Sequence, residues 1–260
     1  MMQWMFGTMT PWEIAVLALG AVLVGINKTG IPAFGIVVVV LFAQFFPASI
    51  ASAAVLPLLC LGDVLAVIWY RRSANWRFVG RLLPWALVGL GLGALTVRFI
   101  SDNAVLSVVI GLVILLVQLL SLVSGRMKQL VERYRGSMAM AAVFGILAGF
   151  TTQVANAAGP VMAIYLLLMN FSKEEYIGSA AWYFLILNWI KLPLFALDGR
   201  LSPEVLRMVP GMVPFLVLGA ALGVVILHKL PHKWFQRVIQ VFVLIGAVRL
   251  LWMGLAALVK

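Results

Sequence analysis

The chain of 260 residues is 64% hydrophobic and 10% charged, against about 25% charged in ordinary globular domains, so its apolar residues cannot all be buried in one soluble core. Its net charge of +11 does not point to nucleic acid, because the basic residues stand in short loops between apolar runs and not along one face of a soluble element. The single cysteine, Cys60, lies inside an apolar run, which excludes a disulfide framework and a thiol metal cluster.

The first residues carry no basic segment and Glu13 opens the first apolar run, so no signal peptide is expected. From there the apolar runs predict ten helical segments: 11–26, 30–46, 48–70, 77–100, 103–123, 137–150, 157–170, 176–197, 205–227 and 234–257. A run of about 20 apolar residues spans a bilayer. The first, second, sixth and seventh are shorter, and each pair reads as two short tilted spans or as a re-entrant pair. The expected fold class is an all-α polytopic membrane protein with about eight to ten membrane segments.

Between the first two segments stands "GINKTGIPAFG", residues 25–35, with an amide, a lysine, a hydroxyl, glycines and a proline. Such a break ends one helix and starts another, and the new helix offers amides and the positive end of its dipole to an anion. Asn27, Lys28, Thr29 and Gly30 are its candidate ligands. Lys28 can pair with an oxyanion or snorkel to the headgroups. Asp63, in "LLCLGDVLAV", is the acid set well inside an apolar run. A buried carboxylate can carry coupling protons, or it can be paired structurally with Arg71, Arg72 or an asparagine. Further on, "GLGLG" and "LGAALG" read as small-residue packing faces, because no strand precedes them.

Residues 149–160, "GFTTQVANAAGP", form a second polar break, with Thr151, Thr152, Gln153, Asn156 and Gly159 as neutral candidates. In "NWIKLP", Asn188 and Lys191 lie about one helical turn apart, and Lys191 can attract an anion or snorkel. His228 and His232 flank Pro231 in a basic loop, so no metal site is expected there. The tryptophans stand mostly near segment ends, as interface anchors do.

The chain also repeats. At an offset of 130, "PWALVGLGLG" overlies "PFLVLGAALG", with Pro84 on Pro214, Gly89 on Gly219 and Gly93 on Gly223. At 124, residues 25–36 overlie 149–160, with Gly25 on Gly149 and Gly35 on Gly159. The expected organisation is a first transmembrane repeat over 1–123, a basic cytoplasmic linker over 124–136 and a second repeat over 137–260. Five segments per half is an odd number, so the second half enters the membrane from the opposite side, the inverted-topology duplication of many secondary transporters. Equivalent breaks should then meet at the midplane, with Asn27, Lys28 and Thr29 facing Thr151, Thr152, Gln153 and Asn156, and helix N-termini near Gly30 and Ala157 pointing inward. Thirteen Lys and Arg fall on one side (28, 71, 72, 77, 81, 126, 128, 133, 135, 173, 229, 233 and 237) and five on the other (98, 200, 207, 249 and 260). The bias places the thirteen in the cytoplasm and both termini outside.

"GINKTGIPAFG", "YRRSANWR" followed by "LLPWALVGLGLG", "NAAGPVMAIYLL" and "GSAAWYFLILNWIKLPLF" resemble, in order over nearly the whole chain, the TauE/SafE sulfite exporter family, also called TSUP. The resemblance implies transport of small sulfur oxyanions or organosulfonates, mostly outward across the bacterial inner membrane. Lys28 and Pro32 depart from the family's barer, glycine-rich first break. The expectation is a secondary transporter without enzyme activity and without cofactor or metal. Its partners are a small anion and the lipid bilayer, with room for proton coupling through Asp63 and for a homodimer, and with no nucleic acid. The alternative is an uptake carrier or anion channel on the same architecture.

Overall fold

The computed structural model describes residues 10–31, 38, 48–99, 105, 108, 112, 115, 133–156, 158–197, 201 and 203–258. Most of the predicted segments 30–46 and 103–123 and of the linker 124–136 lies outside the described residues, as do Pro32, Gly35 and Ala157. All regular structure among the described residues is α-helical.

Helix α1 spans Pro11–Thr29. Its start is a reciprocal cap: the Glu13 amide donates to Thr10 Oγ1 (3.3 Å) and the Thr10 amide donates to Glu13 Oε2 (2.7 Å), with Pro11 in the first turn. Its end falls later than the predicted 26. Asn27, Lys28 and Thr29 form the last helical turn and do not break the helix. The amides of Gly30 and Ile31 both donate to Ile26 O, at 2.8 and 3.0 Å, so the hydrogen-bonded spiral runs through the polar residues.

The same correction applies to the second break. Helix α4, Met138–Ala155, carries Thr151, Thr152 and Gln153 inside it. Thr151 Oγ1 donates back to Leu147 O at 2.8 Å, which lets a polar side chain sit in a helix without opening it. The helix stops at Asn156, whose φ of 51° is left-handed; asparagine tolerates that region better than most residues. Six further helices are described: α2 Ala48–Tyr70, α3 Trp76–Phe99, α5 Ala158–Met169, α6 Lys173–Leu197, α7 Pro203–Lys229 and α8 His232–Leu258. Glu174 and Glu175 favour the first turn of α6. Lys173 Nζ donates to Leu227 O (2.8 Å) and Leu230 O (3.0 Å), so the start of α6 satisfies the last carbonyls of α7.

Four helical stretches are long and apolar enough to cross a membrane: Pro11–Thr29, Trp76–Thr96, Lys173–Leu197 and Leu206–Lys229. Val55–Tyr70, Met138–Val154 and Leu244–Ala256 are shorter apolar helices. Exposed Val88, Leu92 and Leu95 on α3, and Leu218, Leu222 and Val225 on α7, form continuous apolar faces that lipid, not water, can cover. The chain is a multi-pass membrane protein.

Two compact units divide the chain, one made of Met1–Ala74 with Lys173–Pro231, the other of Asn75–Ser172 with His232–Lys260. This division cuts across the sequence halves 1–123 and 137–260, because each unit draws helices from both.

Within the first unit α1 packs on α7 through glycine. A Cβ on Gly25 would fall on the backbone of Leu216 and Ala220, one on Gly219 on the backbone of Val22, and one on Gly223 against Thr29 Oγ1 and Ile26 Cα. Within the second unit α4 packs on α3 in the same manner. A Cβ on Gly149 would fall on Ala86, one on Gly89 on Ile146, and one on Gly93 against Gln153 and Phe150. Backbones approach this closely only where side chains are absent.

Candidate functional site

In the first unit three helices bring charge together. Lys28 comes from the last turn of α1, Asp63 from the middle of α2, and Asn188 and Lys191 from one face of α6. All are buried: Lys28 is 8% exposed, Asn188 2%, and Asp63 and Lys191 0%. Lys28 Nζ lies 2.6 Å from Asp63 Oδ1, a charge contact in which Oδ1 makes no aligned hydrogen bond. Asn188 Nδ2 donates to Asp63 Oδ2 at 2.7 Å. The carboxylate is therefore held by an ammonium on one side and an amide on the other. Lys191 stands within electrostatic reach of both Asp63 and Cys60. Among the described residues the cluster holds two ammoniums and one carboxylate.

Apolar and aromatic groups shape this cluster. The Lys28 ammonium lies 4.6 Å from the Phe184 ring centroid and the Lys191 ammonium 5.4 Å from that of Phe195. Gly62 leaves room for the Lys28 stem, since a Cβ there would come within 3.0 Å of Lys28 Cγ. Behind it, Thr29 Oγ1 donates to Ala220 O (2.7 Å) and to Gly25 O (3.1 Å), and Tyr70 OH donates to Thr29 O at 3.1 Å. These bonds tie the end of α1 to α7 and α2. Asn27 is buried beside Lys28, and Gly30, also buried, closes the helix.

This geometry revises several expectations. Lys28 does not snorkel; its charge is turned inward onto Asp63. Lys191 does not snorkel either, because it is completely buried. Asp63 takes an asparagine as partner, as one expectation had it, but its charged partner is Lys28 and not Arg71 or Arg72. Gly62, Tyr70 and Phe184 were not singled out in the sequence. Phe184 is one turn before Asn188, and Asn188 nearly one turn before Lys191, so α-helical spacing from "NWIKLP" was the available signal.

In the second unit the polar break is neutral. Thr151, Thr152 and Gln153 are buried, at 0%, 3% and 2% exposure, while Asn156 and Gly159 are half-buried. Gln153 packs its stem on Gly93, and its Oε1 has no hydrogen-bond donor among the described residues. Helix α5 begins at Ala158, two residues after the left-handed Asn156. The polar triplet therefore belongs to the carbonyl end of α4, and Gly159 to the amide end of α5.

A buried lysine–aspartate–asparagine cluster with a second lysine, in a multi-pass chain, is suited to hold and release an anion. The family described as Sulfite exporter TauE/SafE matches residues 8–250 of the chain. No curated protein and no solved structure matches it.

Proposed function

Since the chain belongs to the sulfite exporter TauE/SafE family, a family of membrane transporters, we propose that it is a secondary carrier exporting small sulfur-containing anions, sulfite or organosulfonates, across the bacterial inner membrane by alternating access. The observation that carries this reading is the buried cluster of Lys28, Asp63, Asn188 and Lys191. Intramembrane ionisable groups are costly and mark transport pathways. Two lysines and a carboxylate, and not a cage of arginines, suit a ligand that must also leave. Asn27, Thr29 and Gly30 belong to the same substrate site. Thr151, Thr152, Gln153, Asn156 and Gly159 are its neutral counterparts in the second unit.

An arriving oxyanion and Asp63 compete for the Lys28 ammonium. When the anion takes it, the carboxylate loses its counter-ion in a poorly solvated site, and neutralisation by a proton relieves the cost. Anion binding is thereby coupled to protonation of Asp63. Only charge that this proton does not cancel, as on a dianion, runs downhill out of a negative interior, by roughly 2.3 kcal/mol per charge per 100 mV.

The register of the two glycine contacts supports the duplication. Gly149 against Ala86 maps onto Gly25 against Leu216, and Gly89 against Ile146 maps onto Gly219 against Val22, under the offsets of 124 and 130. Each half lends its first helix to the fourth helix of the other. Together with the five apolar segments per half that the sequence predicts, this favours an inverted repeat.

The deciding experiment is sulfite flux in proteoliposomes under an imposed pH gradient. The wild type should respond to the gradient, and Asp63→Asn should abolish that response while sulfite binding remains measurable. Lys28→Ala should weaken sulfite binding by roughly tenfold to a hundredfold, the loss of one charge-assisted hydrogen bond. A folded Asp63→Asn protein with unchanged pH dependence assigns Asp63 a structural role only. Cysteines introduced at Ser73 and Ser124 should be labelled from the cytoplasm and one at Ser202 from outside; the reverse at all three sinks the orientation.

A further inference from the structure

The second unit holds a positively charged cavity that the transport reading does not use. Its volume is about 360 Å³, and Arg77, Arg81 and Arg135 line it together with Phe78, Tyr165 and Phe171. Arg77 and Arg81 are one turn apart at the start of α3, where Asn75 Oδ1 accepts the Phe78 amide at 3.1 Å. Arg135 belongs to the turn that leads into α4. Arg81 Nη1 donates to Gly136 O at 2.7 Å, and Gly136, at a φ of 70°, makes the left-handed bend that returns the chain to the cavity. The starts of α3 and α4 therefore lie beside the same space, and their dipoles add to the guanidiniums.

Among the described residues the lining carries three guanidiniums and no carboxylate. Like charges collected at one concavity are most stable with a counter-anion. Solvated loop arginines would serve as well without a formed wall, but here the wall is built. Phe144 and Tyr165 stack at 4.9 Å, Phe78 and Tyr165 at 5.1 Å, and Phe78 meets Phe171 edge-on at 5.3 Å. Phe78, Tyr165 and Phe171 bring apolar surface into the same lining as the charges. The volume lies near the lower end of small-molecule pockets, about 300–1,000 Å³. A bare inorganic oxyanion would fill only a fraction of it, since a water takes about 30 Å³.

We propose that this cavity, formed by the starts of α3 and α4, binds an organic anion bearing a phosphate or sulfonate, its oxygens on Arg77, Arg81 and Arg135 and its body on the aromatic wall. Guanidiniums match tetrahedral oxyanions through paired N–H donors. Either the headgroup of an anionic lipid or a soluble ester or sulfonate supplies that chemistry.

Phenylglyoxal modification of the purified full-length chain, read by peptide mass spectrometry, tests this. Glycerol 3-phosphate and phenyl phosphate, which are not sulfur anions of the transport reading, are the soluble probes, and phosphatidylglycerol nanodiscs are the lipid probe against phosphatidylcholine nanodiscs. Arg77 and Arg135 should be protected, while the exposed Arg71 and Arg72 keep reacting. Protection by the soluble probes alone makes the ligand soluble, and protection by phosphatidylglycerol alone makes it a lipid headgroup. Arg77 and Arg135 are exposed, so a chain carrying Arg77→Ala and Arg135→Ala should fold. It should bind the protecting probe, in calorimetry or by native mass spectrometry, roughly tenfold or more weakly. Lys28→Ala should bind that probe as the wild type does, which separates this cavity from the transport site. Equal reactivity of Arg77 and Arg135 with every probe, or undiminished binding by the double variant, overturns the proposal.

Discussion

The α1–α7 pair of the first unit and the α4–α3 pair of the second are one packing solution used twice, with different chemistry at its end. In both, glycines let backbones touch, and the touching positions correspond residue for residue across the two offsets. Exposed faces correspond too: Val88, Leu92 and Leu95 of α3 map onto Leu218, Leu222 and Val225 of α7. What differs is the last turn of the first helix in each pair. Lys28 of α1 is answered by Thr152 of α4, and Thr29 by Gln153. Lys28 finds Asp63; Thr29 bonds across to Ala220; Gln153 Oε1 meets no donor among the described residues. The difference teaches that the helix contact is carried by absent side chains, so it tolerates charge in one copy and neutrality in the other. The same helix contact can then carry a charged cluster in one unit and neutral residues in the other.

The largest effect should come from breaking the charge asymmetry. Removing one member of a buried ion pair strands the other, at about 3–5 kcal/mol. Asp63→Asn or Lys28→Met should therefore lower unfolding stability in detergent by that much, whereas Thr152→Val at the corresponding position should cost about 1 kcal/mol. Combining Lys28→Met with Asp63→Leu should restore most of the stability and leave sulfite binding lost. Equal costs at Asp63 and Thr152 would show that the two ends do not differ energetically.

Next in size is the shared contact itself. Gly25→Ala and Gly149→Ala each put a Cβ onto backbone and should each cost about 1–3 kcal/mol, by similar amounts. Gly91, whose Cβ would meet nothing within 4 Å, is the control; Gly91→Ala should be neutral or gain up to about 1 kcal/mol in thermal unfolding. A large cost at Gly25 with none at Gly149 would end the equivalence of the pairs.

Smallest are the polar termini. Thr29→Val loses two hydroxyl contacts and should cost about 1 kcal/mol. Gln153→Leu removes a buried acceptor that has no donor among the described residues, so unfolding stability should hold or rise while sulfite flux falls. A drop in stability with unchanged flux would make Gln153 a packing residue.

The sequence by itself determined the class of molecule, because bilayer solvation imposes long apolar runs that composition alone displays. It also determined the start of α1 at Pro11, where Thr10 and Glu13 cap each other locally, and it displays the glycine spacings that recur at offsets of 124 and 130, which are a comparison of letters. The intramembrane ionisable residues were visible singly for the same reason: a charge in an apolar run is conspicuous. Their pairing was not visible. Lys28, Asp63 and Asn188 come from three helices, and Asp63 and Asn188 are 125 positions apart, so only tertiary packing decided that one carboxylate would be shared between an ammonium and an amide. The ends of α1 and α4 were misread for a related reason. Polar letters suggested an interrupted backbone, but Thr151 bonds its own helix and Lys28 is neutralised by another, so the hydrogen-bonded spiral could continue through both.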